Sequence, residues 1–492
     1  MMKRTILTCV LFPALSLSLV FGQVEKKKVY TLKEGETLLT AESYLGLNPT
    51  VDGLTLTVGD SEGKNTIISS TGKRFGPFDG PIMESRNYQM DGLAGASFAL
   101  IAGKQKGEGY EYTVIMNDSK ELGTFENMPF VLFDDTEDNW ALEEHWSKQV
   151  SDDTYTNYSK VQFKNGKAQQ YDGNVMVSFN PYGQGWVLNN LKNDGTTEIT
   201  YSDGKKQGPY ELILNPIYLE NGSGYAFVGG NKGKYFFSIA GKETPITTDY
   251  PFSYYLNADG SDWVVENSNE DNTVHSLTFK NGKTTENYDA LVVPVSYEKA
   301  NKRWLYGGQK GNEIYVYYSD GTQVGPFAFS AEYPGAILFA NKDASQWCLS
   351  YSESDSKFVN VYNIKGTTRT QTFANKGGEN TSVMGNFTPD GRLYFSVTTY
   401  VENSDEHTTE LHFVDNKEVI NLGDSGDEIH FSPSGRTRWS MGFNNGSLLV
   451  ESNGKKETYK NVFSIRYDNK SSKLYWLSLE GTDLYLNTLT AP

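Results

Sequence analysis

The sequence predicts an all-β fold of the β-propeller class, built from four-stranded repeats of about 42 residues. Three observations predict it: a regular recurrence of large aromatic residues, a tight-turn signature that follows each one, and the absence of any sustained helical periodicity. With 492 residues, 32 Tyr, 26 Phe, 48 Gly and 16 Pro, the composition suits many short strands joined by tight turns. The aromatic content is too high for a chain unable to bury a core.

The recurrence comes first, because a fixed period decides the architecture. Seven of the eight tryptophans fall in one series, completed by Leu56, Phe98, Tyr225 and Tyr394. The anchors are then Leu56, Phe98, Trp140, Trp186, Tyr225, Trp263, Trp304, Trp347, Tyr394, Trp439 and Trp476, 420 residues over ten intervals with a mean of 42. Only Trp146 is off register. The stretch before the anchor repeats as well, as in "FNPYGQGW", "LNADGSDW" and "FTPDGRLY". In each, a strand ends, a turn follows, and a large aromatic begins the next strand.

A second marker follows the anchor. Strands such as "TEITYSDGK", "VHSLTFKNGK" and "EIYVYYSDGT" run into Asn-Gly or Asp-Gly, dipeptides that favour type I′ hairpins because both central residues take positive φ there. "GGNKGK" at 229–234 lacks the P-loop spacing and reads as another hairpin. A third marker occurs in three copies, Gly76-Pro77-Phe78, Gly208-Pro209-Tyr210 and Gly325-Pro326-Phe327. Proline cannot donate to a ladder and belongs at the start or edge of a strand. "NWALEEHWSKQV" at 139–150 is the one stretch that reads as a helical turn or irregular loop.

Forty to forty-five residues per four-stranded sheet is the propeller period. A lone meander cannot cover both faces, whereas sheets stacked around an axis cover one another. The anchors should therefore be wedges between blades, with no ligand needed to explain them. Trp476 is followed by only two strand-like segments, "KLYWLSL" and "TDLYLNTL", and "KVYTL" and "ETLLTA" near the N-terminus supply two more. Pairing the chain ends would give ten blades plus a composite one. Because single propellers usually carry four to eight blades, two smaller rings, 23–250 and 251–492, or one ring with degenerate flanking repeats, are preferred to one continuous wide ring.

The first 22 residues read as an export signal: Lys3 and Arg4, an apolar stretch over 6–20, then Val20 and Gly22 at the small-residue positions before Gln23. No later segment has the ~18 apolar residues a membrane span needs. Cys9 would leave with the signal, so Cys348 would be the lone cysteine, a small buried hydrophobe in an apolar strand. The formal charge of −17 becomes −19 without Lys3 and Arg4, a field that opposes nucleic acid, anionic lipid and polyanionic glycans.

"FTPDGRLYFS", "FSPSGRTRWS" and strands such as "EIYVYYSDG" resemble the WD40-like (PD40, TolB-type) propeller repeats of exported bacterial proteins. The "VFGQ" junction is similar to signal cleavage sites common in Bacteroidetes. The resemblance implies a fold and a periplasmic or extracellular location, and implies no activity.

The search for chemistry finds little. His145, His275, His407, His412 and His430 form no ligand motif. In "EHTTELH" strand spacing places His407 and His412 on opposite faces. There is no GxSxG elbow. Of the acidic clusters at 134–139, 266–272 and 423–428, only the first suggests a hard-cation site, with Asp134, Asp135 and Asp138 as calcium candidates; no other cofactor is expected. Exposed aromatics are the better lead: "YPFSYYL" at 250–256 and "TYTNYS" at 154–159 bring rings near loop ends, where they would stack on sugars or anchor proteins. The expected function is an exported binding or scaffold protein that recognises a protein or a glycan through loops on one face. The alternative is a propeller-fold polysaccharide lyase or glycoside hydrolase. An aromatic, uncharged mouth to the central channel would favour binding. Converging His, Tyr, Arg and carboxylates there would favour catalysis.

Overall fold

The computed structural model describes residues 24–39, 44–45, 54–69, 72–88, 94–116, 120–134, 139–151, 154–182, 185–214, 216–248, 250–329, 335–354, 356–374, 379–401, 407–423, 429–432, 434–435, 437–442, 447–452, 455–468 and 473–490. The export-signal reading over 1–22 lies outside them. The described residues contain no α-helix, and so none long and apolar enough to cross a membrane. They form eleven antiparallel sheets, the blades of a β-propeller. In chain order blades 1–10 span 37–78, 82–125, 129–172, 174–210, 212–246, 251–288, 290–328, 337–374, 379–423 and 429–459. Blade 11 spans 462–490 and takes its outermost strand from Glu25–Thr31.

Within a blade the chain meanders from first strand to fourth. The first strands of successive blades approach one another, as between Ile82–Tyr88 and Pro129–Phe133 and between Ala290–Glu298 and Ile337–Ala340. The first strands therefore line the axis, and the fourth form the rim. Blades 1 and 5 split the first position into two short strands, Thr37–Leu38 with Tyr44–Leu45 and Leu212–Ile213 with Ile217–Tyr218. Blade 6 has three strands, and its fourth position is held by two isolated bridges, Thr278 to Thr284 and His275 to Tyr288.

Each gap between neighbouring blades is filled by its own apolar cluster, and the series is unbroken around the ring. Leu219, Val228 and Phe237 of blade 5 pack with Tyr254, Trp263 and Val265 of blade 6, so the interface continues through residue 250. Leu56, Val58 and Ile68 of blade 1 pack with Tyr475, Leu477 and Leu484 of blade 11. One ring of eleven blades results. The last blade is closed by Glu25 pairing with Thr488 through Thr31 with Asp483. Only the first of the two expected N-terminal segments joins the composite blade; "ETLLTA" contributes Thr37–Leu38 to blade 1 instead.

The anchors occupy the second strand of every blade. From Leu56 to Trp347, and again at Trp476, they face the preceding blade. Trp263 lies flat on Phe237 across the gap, ring centroids 4.6 Å apart and planes 2° from parallel. Two anchors differ. Tyr394 packs with Leu411 and Phe431 toward blade 10, and Trp439 with Tyr467 toward blade 11. Consecutive strand residues point to opposite faces, so a one-residue shift turns these rings round, and Phe395 takes the wedge position beside Cys348 and Tyr362. Trp186 is only half-buried, stacked on Phe163 at 4.2 Å.

Local structure corrects two readings. Residues 139–150 are not a helical turn: Trp140–Ser151 is a twelve-residue strand paired on both sides. Among the described residues the Asp-Gly and Asn-Gly turns are not type I′. At Asp203-Gly204 only the glycine has positive φ (84°), its N–H reaches the Tyr201 carbonyl at 2.8 Å, and the Asp203 carboxylate accepts the Lys205 N–H at 3.0 Å. This is a type I turn with a glycine bulge, in which Asp holds the turn with its side chain. True two-residue turns with both residues at positive φ occur at Lys232-Gly233, Ala240-Gly241 and Lys365-Gly366, so "GGNKGK" is a hairpin. The three Gly-Pro-aromatic segments lie in the rim strands of blades 1, 4 and 7, beside register shifts. A Cβ on Gly208 would come within 2.7 Å of the Thr197 carbonyl oxygen.

Trp347 is fully buried whereas Trp186 is not. Trp347→Ala should therefore cost about 3–5 kcal/mol of stability and Trp186→Ala clearly less, read as the shift in denaturant midpoint on far-UV circular dichroism.

Candidate site: an apolar belt on the channel strands

Exposed apolar side chains recur at one position of the innermost strands. Met83, Phe130, Met176, Phe252, Val293, Ile337 and Met384 each stand on the first strand of a blade, in blades 2, 3, 4, 6, 7, 8 and 9, and each is 37–52% exposed. Met83, Phe130, Met176 and Ile337 all pair with the residue three after their blade's anchor. Phe252 and Val293 lie at the same level inside a register shift. Met384 belongs to blade 9, where the register has slipped, and pairs with Ser396. Repetition of the blade thus sets a row of apolar groups at nearly one height around the channel.

In five of the seven blades the surroundings are almost uncharged, while the first strands of blades 2 and 9 carry Glu84, Arg86 and Glu379. The first strands of blades 3, 4, 6, 7 and 8 contain one charged residue, Glu298, and Arg303 pairs with it at the outer turn. Arg303 also bonds Asp320 at 2.7 Å and covers the Tyr318 ring at 3.7 Å. These interactions hold Asp320 down at about 2, with the Thr322 backbone N–H the largest cause and the guanidinium next.

Two phenylalanines of the belt share a buried support. In blade 3 the Phe130 ring lies 6.3 Å from His145, whose Nε2 is 3.2 Å from Glu143 Oε2. In blade 6 Phe252 meets His275 edge-on at 6.2 Å, and His275 Nδ1 is 3.3 Å from Glu266 Oε1. Glu143 and Glu266 are each three residues past their anchors and are buried. Glu143 is satisfied by the Val177 N–H of the next blade at 2.6 Å. Glu266 accepts from the Tyr255 hydroxyl at 3.1 Å, and burial pushes its carboxyl above the usual range.

Glu143, His145 and Ser159 form a chain, with His145 Nδ1 2.9 Å from Ser159 Oγ. It has the composition of a hydrolytic triad but not its accessibility. Ser159 is fully buried, donates to the Gly173 carbonyl at 2.8 Å and accepts the Val175 N–H at 3.0 Å. It fastens blade 3 to blade 4.

The sequence leads disperse. Asp134 binds Asn139 through Nδ2 at 2.7 Å; Asp135 and Asp138 lie outside the described residues, and among the described residues no three His, Cys, Asp or Glu side chains gather to hold a metal. His412 pairs with Glu410 at 3.0 Å, and His407 is five residues away on the same strand, on the opposite face. His430 stacks on Trp439. Cys348 is fully buried, and burial pushes its thiol up to about 12, as suits a small hydrophobe. Tyr155 is exposed and Tyr158 stacks on Trp146. The segment 250–256 divides: Tyr250 is exposed just ahead of the first strand of blade 6, Phe252 joins the belt, and Tyr254 is buried, donating to the Ala226 carbonyl at 2.9 Å. The belt escaped the sequence reading, although six of its residues precede their anchors by ten or eleven positions, Met83 alone by fifteen.

No family model and no curated protein matches the chain. Solved structures do. Oligogalacturonate lyase in complex with manganese is 13% identical, over 70% of this chain and 96% of that one, with a TM-score of 0.30. Kluyvelomyces marxianus Hsv2 is 12% identical, over 60% and 93%, at 0.31. The Kuenenia stuttgartiensis hydrazine synthase is 12% identical, over 54% and 92%, at 0.29. At these values neither activity nor ligand passes from them to this chain.

Glu266 gives a pH signature. Its carboxyl titrates higher folded than unfolded, so the fold loses stability as pH rises from the unfolded value through the folded one. Glu266→Gln keeps an acceptor for Tyr255 and removes that loss. The variant should melt above wild type at pH 8 and level with it near pH 4, measured by differential scanning fluorimetry.

Proposed function

We propose that this chain is an exported propeller of the WD40-like, PD40/TolB type that binds a protein partner by holding an apolar segment against the channel belt. The observation that carries the reading is the uncharged row of exposed apolar side chains on the innermost strands. A soluble surface seldom leaves such groups aligned without a partner to cover them. Apolar anchors at the centre of a contact supply most of its energy. The basic-apolar-small order of residues 3–22 supports export, and the net charge of −17 favours a cationic partner through steering.

A binding role is preferred to a catalytic one on chemical grounds. The carboxylates beside the belt are bonded to their own fold, and the one Ser-His-Glu chain has its hydroxyl buried.

Phe130→Asp, Met176→Asp and Phe252→Asp combined should leave the far-UV spectrum intact. The triple variant should lose most of the wild type's enhancement of an anilinonaphthalene sulfonate dye. Partner affinity from the envelope fraction should fall about tenfold or more, the loss of a single hot spot. Unchanged dye and partner binding would refute the channel reading.

A further inference from the structure

The rim of the ring carries a second site that the channel does not explain. Between blades 5 and 6 lies an open groove of about 1040 Å³, at the upper end of the size range of ligand pockets. Its cause is the missing fourth strand of blade 6. Elsewhere a rim strand completes the blade; here two isolated bridges hold 284–288 against His275–Phe279. The face of blade 6 that looks toward blade 5 is left uncovered at its outer end.

The floor is a network of amide and hydroxyl groups. Asn267 donates through Nδ2 to Thr278 Oγ1 at 2.9 Å and to Ser276 Oγ at 3.2 Å, and its Oδ1 accepts from Thr248. Thr278 Oγ1 lies 3.1 Å from Thr284 Oγ1. Strand alternation turns all of these toward blade 5, because the intervening Leu277 packs toward blade 7. Tyr235 of blade 5 forms part of the opposite wall, and Tyr250, half exposed, stands at the entrance. Charge is confined to the edge. Glu243 is turned to the far side of its strand, where it accepts from the Tyr210 hydroxyl at 2.6 Å, and Lys234 sits at the start of the neighbouring strand.

Hydroxyls and an amide both donate and accept, as sugar hydroxyls do. Tyrosine rings offer apolar faces for the C–H side of a pyranose. The floor has no fixed cation to neutralise an acid, and the chain is strongly negative. We infer that the groove between blades 5 and 6 binds a neutral glycan segment of a few sugar units, held by the Asn267–Thr278–Ser276 floor and stacked on Tyr250. This site is independent of the channel belt, so the two readings stand or fall separately.

The test is a microarray of neutral oligosaccharides (β-glucans, xylans, mannans and galactans) beside uronic-acid oligomers, followed by calorimetric titration of the full chain with the best neutral hexasaccharide. A neutral series should bind and the uronates should not. Tyr250→Ala removes an exposed ring without touching the core and should weaken binding about tenfold or more. Ser276→Ala, which removes a partly exposed hydroxyl of the floor while Asn267 Nδ2 keeps Thr278 as acceptor, should also weaken it, with the melting temperature of both variants near wild type. A Phe130→Asp, Met176→Asp double variant, confined to blades 3 and 4, should bind the glycan as wild type does. No neutral glycan bound at millimolar concentration, preference for uronates, or binding indifferent to both groove variants would overturn the inference.

Discussion

A four-stranded sheet with two apolar faces has no stable existence alone, and the whole molecule follows from that constraint. Each face must be covered by a neighbour, and each neighbour has a second face of its own. The requirement ends only when the last sheet meets the first. Here that happens where Leu56, Val58 and Ile68 meet Leu477 and Leu484. Polar groups trapped in the gaps answer the same constraint. Ser85 both donates to the Val131 carbonyl and accepts its N–H, Ser350 accepts the Gly385 N–H, and Tyr218 donates to the Ser178 carbonyl. Each joins one blade to the next and gives a backbone group in the gap a partner.

Repetition generates the channel belt. A residue used once on an inner strand is unremarkable; used at the same level in seven blades it becomes a lining. The groove arises in the opposite way, from a lapse in repetition. Where blade 6 omits its rim strand, Asn267, Ser276 and Thr284 line an open groove with Thr278 buried at its base. Regularity built one surface and irregularity the other, which is how function is grafted on a fold that carries none of its own.

The period was plain in the sequence because seven of only eight tryptophans fall in the second strands of successive blades, where burial between sheets demands a large side chain. Phase was less legible. Tyr394 and Trp439 keep the spacing yet face the other way, since a one-residue slip is invisible in a count of about 42 but reverses a side chain. The helical look of 139–150 has a related origin. Trp140, Ala141 and Leu142 are buried on both faces, so the strand shows a continuous apolar run without alternation. The belt and the groove were hidden because strand order fixes which residues are neighbours, while distance from the axis depends on closing the ring. The preference for two smaller rings came from typical blade numbers, and nothing in the chain's own spacing required it.

Closure also fixes when the molecule can be finished. The strand Glu25–Thr31 lies along Asp483–Thr490, so residues from opposite ends of the polypeptide become edge partners. Bringing together ends some 450 residues apart adds little to the free-energy cost compared with a shorter loop, because that cost grows only with the logarithm of length. Its effect is on timing. A chain that emerges from its N-terminus holds its clasp from the start and cannot fasten it until the final strand is released. Until then the exposed flank of the growing arc is the vulnerable surface for misassociation, and the ring is the last thing the protein makes.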